Sequence, residues 1–344
     1  MGNVDRVAFE LHKDEAVGAG LGRIVDEQLA GALGEVRGAT PGKGADRAVH
    51  AVRKRFKRVR ALLRLMRDEL DAGVYERENE ALRDAAGTLS DVRDATVLLE
   101  TLKGLNGCVE EPAYLLARKR LLARRRAIRK RLGGQGVGLD GVAAAIEAAR
   151  DRVGGWQVAQ DGWGAVTGGL KKTYKDARAG FREADVGGEP ELFHEWRKRT
   201  KALWHQLEVL EPIWPEVMKK LADEAHALAD LLGEEHDLSV LREVLDAEAL
   251  ARAEAASPVR EAVEARRAEL GRRAKEMGER LFAERPGAFV KRLGKYWKAW
   301  RGAGAETVAR CEAEEVPAPV EEVARAVEVS IMGLDERRTS NIEH

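Results

Sequence analysis

Two clusters of basic residues in this chain share one spacing. The pattern His-x-x-Arg-Lys-Arg-x-Lys runs from His50 to Lys57 and again from His194 to Lys201, 144 residues further along. Arginine offers planar paired donors that match phosphate oxygens, and lysine adds a mobile point charge. Because a mixture of both along one helix suits a flexible anion with regularly spaced charges, the pattern indicates a phosphate chain as ligand.

Each pattern is expected to form the polar face of an amphipathic helix. In the first copy the basic face continues through Arg60, Arg64 and Arg67, and the apolar stripe opposite it consists of Val52, Phe56, Val59, Leu62, Leu63 and Met66. In the second copy His205 joins the basic face, and the stripe consists of Trp196, Leu203, Leu207 and Leu210. Like charges at i,i+3 and i,i+4 destabilise an isolated helix. The basic faces therefore need either an external anion or carboxylates from elsewhere in the fold.

Composition favours an all-helical protein whose charges are unevenly distributed. The 344 residues include 59 basic and 59 acidic ones, so the formal net charge is zero, and only 5% of residues are aromatic. Residues 43–67 nevertheless hold ten basic residues and one acid, and residues 118–131 hold nine basic residues and no acid. The net charge thus says nothing about a polyanionic partner, whereas the clustering of the basic residues along the chain favours one.

An internal repeat predicts the organisation of the chain. About 43 residues after each basic pattern, a matched element leads to Asp94 or Asp237. The repeat predicts a first helical half at 1–153, a second helical half at 154–301 and an acidic tail or linker at 302–344. Gly and Pro clusters separate the predicted helices, which are 15–36, 46–71, 75–104, 112–132, 140–153, 158–184, 190–210, 214–248, 258–284 and 287–301.

These residues, in this order, resemble the CHAD family, the conserved histidine α-helical domain. The resemblance covers residues 12–301 and rests mainly on the two His-x-x-Arg-Lys helices and the elements ending at Asp94 and Asp237. Lys172, Tyr174 and Arg178 are similar to the family's Tyr/Arg-bearing helix. Some family members also carry a triphosphate-tunnel domain with a Glu-x-Glu-x-Lys motif. Because that motif is not found here, we expect a stand-alone member, and the catalysis of fused relatives is not carried over.

The resemblance implies an all-α fold of two pseudo-symmetric four-helix bundles, from an internal duplication, around a basic central pore or groove. It also implies non-enzymatic binding of inorganic polyphosphate. The residues expected to bind it, from the signature helices and the internal repeat, are Arg23, His50, Arg53, Lys54, Lys57, Arg60, Arg64, Arg120, Arg126, Lys172, Tyr174, Arg178, His194, Arg197, Lys198, Lys201, His205, Arg267 and Arg273.

Two other functions stay open at this point. Asp94 and Asp237 are expected to orient basic side chains as ion-pair partners, but they could instead serve a polyphosphate-processing enzyme. A nucleic acid would also fit a basic groove. Proteins that recognise a base sequence carry side chains that contact base edges, and proteins that bind single strands carry aromatic side chains that stack on bases, but such side chains are sparse here. His50 and His194 could contact ligand or serve the fold. No metal site and no cofactor are expected, since Glu191-x-x-His194 has no counterpart in the first half.

The sequence also bears on location. Cys108 and Cys311 are too few and too far apart for a disulfide framework. The N-terminal region is charged, and no apolar run is long enough to span a bilayer. We therefore expect a cytoplasmic protein without membrane contact. The resemblance to the CHAD family, through the polyphosphate binding that it implies, adds the expectation of association with polyphosphate granules.

Overall fold

The structure, a computed structural model, is all-helical over residues 9–40, 43–131, 139–247 and 257–314, which are the residues it describes. A 3-10 turn at Glu211–Ile213 lies between the helices that end at Val209 and begin at Pro215. No helix in these ranges is both long and apolar enough to cross a membrane. The helices are α1 Val17–Arg37, α2 Lys43–Leu65, α3 Val74–Gly87, α4 Ser90–Gly104, α5 Glu111–Arg131, α6 Leu139–Val153, α7 Gly164–Gly187, α8 Pro190–Val209, α9 Pro215–Ala247, α10 Ser257–Leu281 and α11 Pro286–Glu314.

The chain divides into two compact units, residues 1–297 and residues 298–344. The first unit contains α1 to α10 and the beginning of α11. In the second unit the described residues continue α11 to Glu314, beyond the predicted helix end at 301. The rest of the predicted acidic tail, 315–344, lies outside the described residues.

The apolar stripes predicted for the two basic helices are confirmed. Every residue of the α2 stripe, from Val52 to Met66, is at most 1% exposed. On α8, Trp196, Leu203 and Leu207 are fully buried, and so is Leu210 just beyond the helix. Burying these side chains removes apolar surface from water and leaves the basic side chains of both helices on the opposite face.

Two predicted helices of the first half have the wrong bounds, and in the second half the helix predicted at 158–184 begins at Gly164. The helix predicted at 46–71 ends at Leu65, and the helix predicted at 75–104 is two helices, α3 and α4, separated by Thr88 and Leu89. The Thr88 hydroxyl donates a hydrogen bond to the carbonyl oxygen of Ala85 at 2.8 Å, and the non-helical Leu89 is fully buried. Side-chain hydrogen bonding to the backbone and burial of Leu89 therefore outweigh the helical pattern of the sequence.

Helix contacts join the two sequence halves at two places. Helices α1, α2, α3 and α6 pack together in the first half, and α7, α8, α9 and α10 pack together in the second. Between the halves, α2 packs on α7 and α8, while α4 and α5 share a hydrophobic cluster with α9 and α10. The internal duplication and the boundary at residue 153 remain predictions, since α3 and α4 stand in chain order where the second half has the single helix α9.

Two contacts set the position of α2 against α7 and α8. The buried Gln206 of α8 donates hydrogen bonds to the carbonyl oxygen of Ala61 at 3.0 Å and to Thr173 Oγ1 at 3.1 Å. Near the end of α2, Gly169 of α7 lies so close to the backbone of Arg64 and Leu65 that no side chain fits between the helices. The basic faces of α2 and α8 are therefore held at short range.

Candidate anion-binding cavity

The basic faces of α2 and α8 meet at a cavity of about 460 Å³. Eight of the eleven residues that line it are arginine or lysine, and no carboxylate occurs among the described lining residues. Such a concentration of positive charge favours an anion of several charges. The lining residues are Arg53, Lys57, Arg60, Arg64, Arg83, His194, Arg197, Lys198, Lys201, Ala202 and His205.

Two of the arginines are fixed by the neighbouring helix α3. Arg53 Nη1 donates a hydrogen bond to the carbonyl oxygen of Ala86 at 2.8 Å, near the helix end created by the break at residue 88. Arg60 Nε donates to Asn79 Oδ1 at 2.9 Å. Burial, and next the positive charge of Arg64, lower the pKa of Arg60 to about 10. A charged guanidinium held in such surroundings gains from a bound anion.

Carboxylates beside the cavity neutralise some of its charge. Lys198 Nζ lies 2.7 Å from Glu195 Oε1, and Arg83 lies 2.8 Å from Glu80 and 3.1 Å from Asp84. These pairs are solvent-exposed, and exposed pairs contribute little and exchange readily. Lys198 and Arg83 can therefore turn toward a ligand at small cost.

A pair of imidazoles borders the cavity. The rings of His194 and His236 are tilted by 33° with centroids 3.9 Å apart, and His194 Nδ1 is buried with no hydrogen-bond partner among the described residues. Burial, and next the charges of Lys198 and Arg197, lower the pKa of His194. Burial, and next His194, lower the pKa of His236 to about 4. Both imidazoles are therefore neutral at pH 7, as the basic surroundings of His194 predict.

His205 serves the core as well as the cavity wall. It is 2% exposed, and its Nδ1 lies 2.7 Å from Glu208 Oε2. Burial lowers the pKa of His205, although the hydrogen bond to Glu208 opposes that shift. Arg58 Nη2 lies 3.5 Å from the other oxygen of Glu208. Because its ring is buried and held by Glu208, His205 forms part of the cavity wall and does not present a charge to a ligand.

Three predicted residues on α7 are placed outside the cavity lining. The fully buried Tyr174 hydroxyl donates toward the carbonyl oxygens of Leu281 at 3.1 Å and Glu284 at 3.3 Å, and burial raises its pKa to about 12. Arg178 Nε donates to the carbonyl oxygen of Phe282 at 2.9 Å. Lys172 pairs with Asp176 at 3.5 Å on the exposed surface. Tyr174 and Arg178 thus join α7 to the end of α10.

The residues predicted from the internal repeat are also spread apart. Arg23 lies 2.7 Å from Glu15 and 3.2 Å from Glu27, and it borders a different cavity. Arg120 and Arg126 are exposed on α5, and Arg273 lies 3.7 Å from Glu269 on α10. His50 and Lys54 lie on α2 but are not among the lining residues of the cavity. Helical spacing showed which residues share a face but not which faces meet.

Three residues of this region escaped the sequence analysis. Arg83 lies on α3 among acids, outside both basic patterns. The His236 ring contacts that of His194, with centroids 3.9 Å apart, and Glu235 is 3% exposed. The signal was present, because both lie within the matched element of the second half, which ends at Asp237. The side chain of Asp94 lies outside the described residues, and the orienting role of Asp237 stays a prediction.

Arg267 belongs to a buried ion pair. Its Nη2 lies 2.8 Å from Glu235 Oε1, and the two side chains are 10% and 4% exposed. We expect Arg267→Gln to lower the free energy of unfolding by about 2 kcal/mol, below the usual cost of breaking a wholly buried pair because a cleft borders this one. Denaturant unfolding measures that loss. Polyphosphate affinity should stay unchanged in the same variant, and a weaker affinity would return Arg267 to the binding site.

The sequence profile of the CHAD domain matches residues 23–246. Since this range is more than half of the 344 residues, the chain belongs to the CHAD family. The match includes both basic helices, α2 and α8, and nearly all of α9, which contributes His236.

A solved structure, PptA from Streptomyces chartreusis, is similar in fold. The two align with a TM-score of 0.54 and 18% sequence identity, over 78% of this chain and 98% of that chain. At this identity the likeness concerns the helical architecture alone. Among curated proteins, none matches this chain in sequence.

Proposed function

We propose that this protein binds inorganic polyphosphate in the cavity between α2 and α8 and does not hydrolyse it. One observation carries the proposal: eight arginines and lysines from three helices surround one cavity whose described lining contains no carboxylate. Membership of the CHAD family, which is known for polyphosphate binding, supports this ligand.

In the proposed complex, some of the cations that contact phosphate are held in place and others are mobile. Arg53 and Arg60 are held by α3, so they offer preorganised donors to the phosphate oxygens. Lys57 from α2 and Lys201 from α8 lie in the lining from opposite helices, and their flexible stems suit a chain of variable conformation. Each phosphate bound releases counterions, so affinity should fall steeply with salt concentration.

A parallel titration tests this proposal. Purified full-length protein is titrated with long-chain polyphosphate, tripolyphosphate, RNA and inositol hexakisphosphate at one fixed salt concentration. We expect the tightest binding with long-chain polyphosphate. Tighter binding of RNA at the same salt would instead support the nucleic-acid alternative.

A second assay tests the absence of hydrolysis. The cavity lining described above offers no carboxylate to accept a proton or hold a metal ion. Incubation of long-chain polyphosphate with the protein and Mg²⁺ should therefore release no phosphate. Release that disappears in Asp94→Asn would establish the enzymatic alternative.

In cells, a fluorescent fusion of the protein should localise to polyphosphate granules.

Polyphosphate affinity should increase as the pH falls from 7.5 toward 5.5. A bound polyanion favours the charged imidazolium, so we expect His194 and His236 to take up protons on binding. In the free protein Arg197 and Lys198 oppose protonation of both rings, and Glu195 favours protonation of His194. Each proton taken up can increase affinity by up to about tenfold per pH unit. Titrations at constant ionic strength measure the slope.

The variant His236→Phe keeps a flat ring against His194 and removes one titrating group. Its affinity should depend less on pH than that of the wild type, and equal slopes would contradict the role of the pair.

The stability of the free protein should depend on pH in the opposite direction to the affinity. Since the pKa of His236 lies below its ordinary value of 6.5, the unfolded state binds the proton first. Stability without ligand should therefore decline as the pH falls from 6.5 toward 4.

A further inference from the structure

Helix α5 carries a second basic surface whose residues are not among those that line the cavity. Its inner face, with Ala113, Ala117 and Leu121, is buried in the cluster shared with α4, α9 and α10. Its outer side chains extend along about 18 Å of helix, at a rise of about 1.5 Å per residue. The exposed basic residues are Arg118, Lys119, Arg120, Arg124, Arg126 and Lys130.

The sequence of α5 supplies no carboxylate to neutralise these charges. After Glu111 no acid occurs until Asp140, so ion pairs at i,i+3 or i,i+4 are impossible for the bases from 118 to 131. Among the described side chains, moreover, no carboxylate forms an ion pair with Arg118, Lys119, Arg120, Arg126 or Lys130. The like charges of this face repel one another along the helix.

The arginines of α10 provide a comparison within the same molecule. The predicted repeat aligns Arg266, Arg267, Arg272 and Arg273 in sequence with bases of α5, and each of these four arginines is paired with a glutamate. Glu234, Glu235 and Glu264 supply partners from α9 and α10. These four arginines of α10 are therefore neutralised by carboxylates of α9 and α10, whereas the sequence of α5 supplies no such partner.

From this difference we infer that the outer face of α5 is a second polyanion site, which binds inorganic polyphosphate independently of the cavity. The inference rests on the proposed function for the identity of the ligand. The face offers charge without stacking side chains, since the aromatic residue of α5, Tyr114, packs against the hydrophobic cluster. Such a surface suits a phosphate polymer without bases better than single-stranded nucleic acid. Long chains, which reach beyond the volume of the cavity, are the species it should favour.

Charge removal on α5 of the full-length protein tests the inference. The test variant replaces Arg118, Lys119, Arg120 and Arg126 by glutamine, which preserves helix propensity. The matched control replaces four exposed lysines on other helices, Lys171, Lys175, Lys220 and Lys291, by glutamine, so the net charge changes equally. A third variant, Lys57→Glu with Lys201→Glu, disables the cavity, and circular dichroism checks that all variants stay helical.

We expect the α5 variant to lose about tenfold or more in affinity for long-chain polyphosphate, with a salt slope reduced by roughly one per lost phosphate contact. Its binding of tripolyphosphate should equal that of the control. The cavity variant should retain weak, salt-sensitive binding of long chains, and combining the two sets should remove it.

Two results would overturn the α5 site: long-chain binding equal to that of the control, or a loss confined to RNA. Failure of the proposed function has a different signature. In that case the cavity variant would bind both polyphosphates like the wild type, while the α5 variant alone would lose long-chain binding.

Discussion

Reversing the charge of Lys57 and Lys201 together should lower the affinity for tripolyphosphate by at least about 100-fold. One residue comes from α2 and the other from α8, and both line the cavity. Each reversal removes a charge-assisted contact and adds repulsion inside a confined site, and each such contact contributes about 1.5–3 kcal/mol. Titration calorimetry at constant salt measures the affinity of Lys57→Glu with Lys201→Glu.

The matched variant Lys171→Glu with Lys175→Glu controls for net charge. Both residues are exposed on α7 and do not line the cavity, so affinity should change less than about threefold, the scale of a screened long-range effect. Equal losses in the two variants would show that net charge, and not the cavity, determines binding. Helicity should be preserved in both, because the apolar stripes of α2 and α8 are untouched.

Gly169→Ala should destabilise the protein by about 3 kcal/mol or more. A methyl group at this position would overlap the carbonyl oxygens of Arg64 and Leu65. Since both sides of the contact are backbone, neither can rotate away, and the cost lies at the upper end of that for overpacking. Denaturant unfolding measures the loss. In the folded fraction polyphosphate binding should also weaken, because displacing the end of α2 moves Arg64, which lines the cavity.

Gly34→Ala is the matched control for this substitution. Gly34 lies within α1, and an added methyl group there would have no neighbour within 4 Å. The exchange should raise stability by about 0.5–1 kcal/mol, since alanine loses less conformational freedom than glycine in a helix. A Gly169→Ala variant as stable as wild type would mean that α2 and α7 do not approach this closely.

Local rules predicted the helices of the site well. The spacing of the basic residues and of Val52, Phe56 and Val59 determines which side of α2 is buried, because a helix turns by a fixed angle per residue. The same rule succeeded for Trp196, Leu203 and Leu207 on α8. It failed at Thr88 and Leu89, where a hydrogen bond and the burial of one leucine interrupt a pattern that reads as continuous helix.

Which residues surround the cavity depends on contacts between helices that are far apart in the sequence. Arg83 and the His236 ring join the region of the cavity from α3 and α9, whereas Tyr174 and Arg178 of α7 bind backbone carbonyl oxygens near the end of α10. Arginines with the same local pattern also have different uses. Arg267 is buried with Glu235, but Arg120 on α5 is exposed.

The sequence by itself determined that this protein is helical, that its basic residues are concentrated in a few segments, two of which share one pattern, and that it resembles the CHAD family. These properties depend on residue type and short-range spacing, which a linear chain states directly. Only the tertiary structure decided that α2 and α8 face one cavity and which cations are already paired with carboxylates. The physical reason is that an ion pair or a shared cavity requires two side chains within a few ångströms, and packing alone determines that distance for residues far apart in the chain.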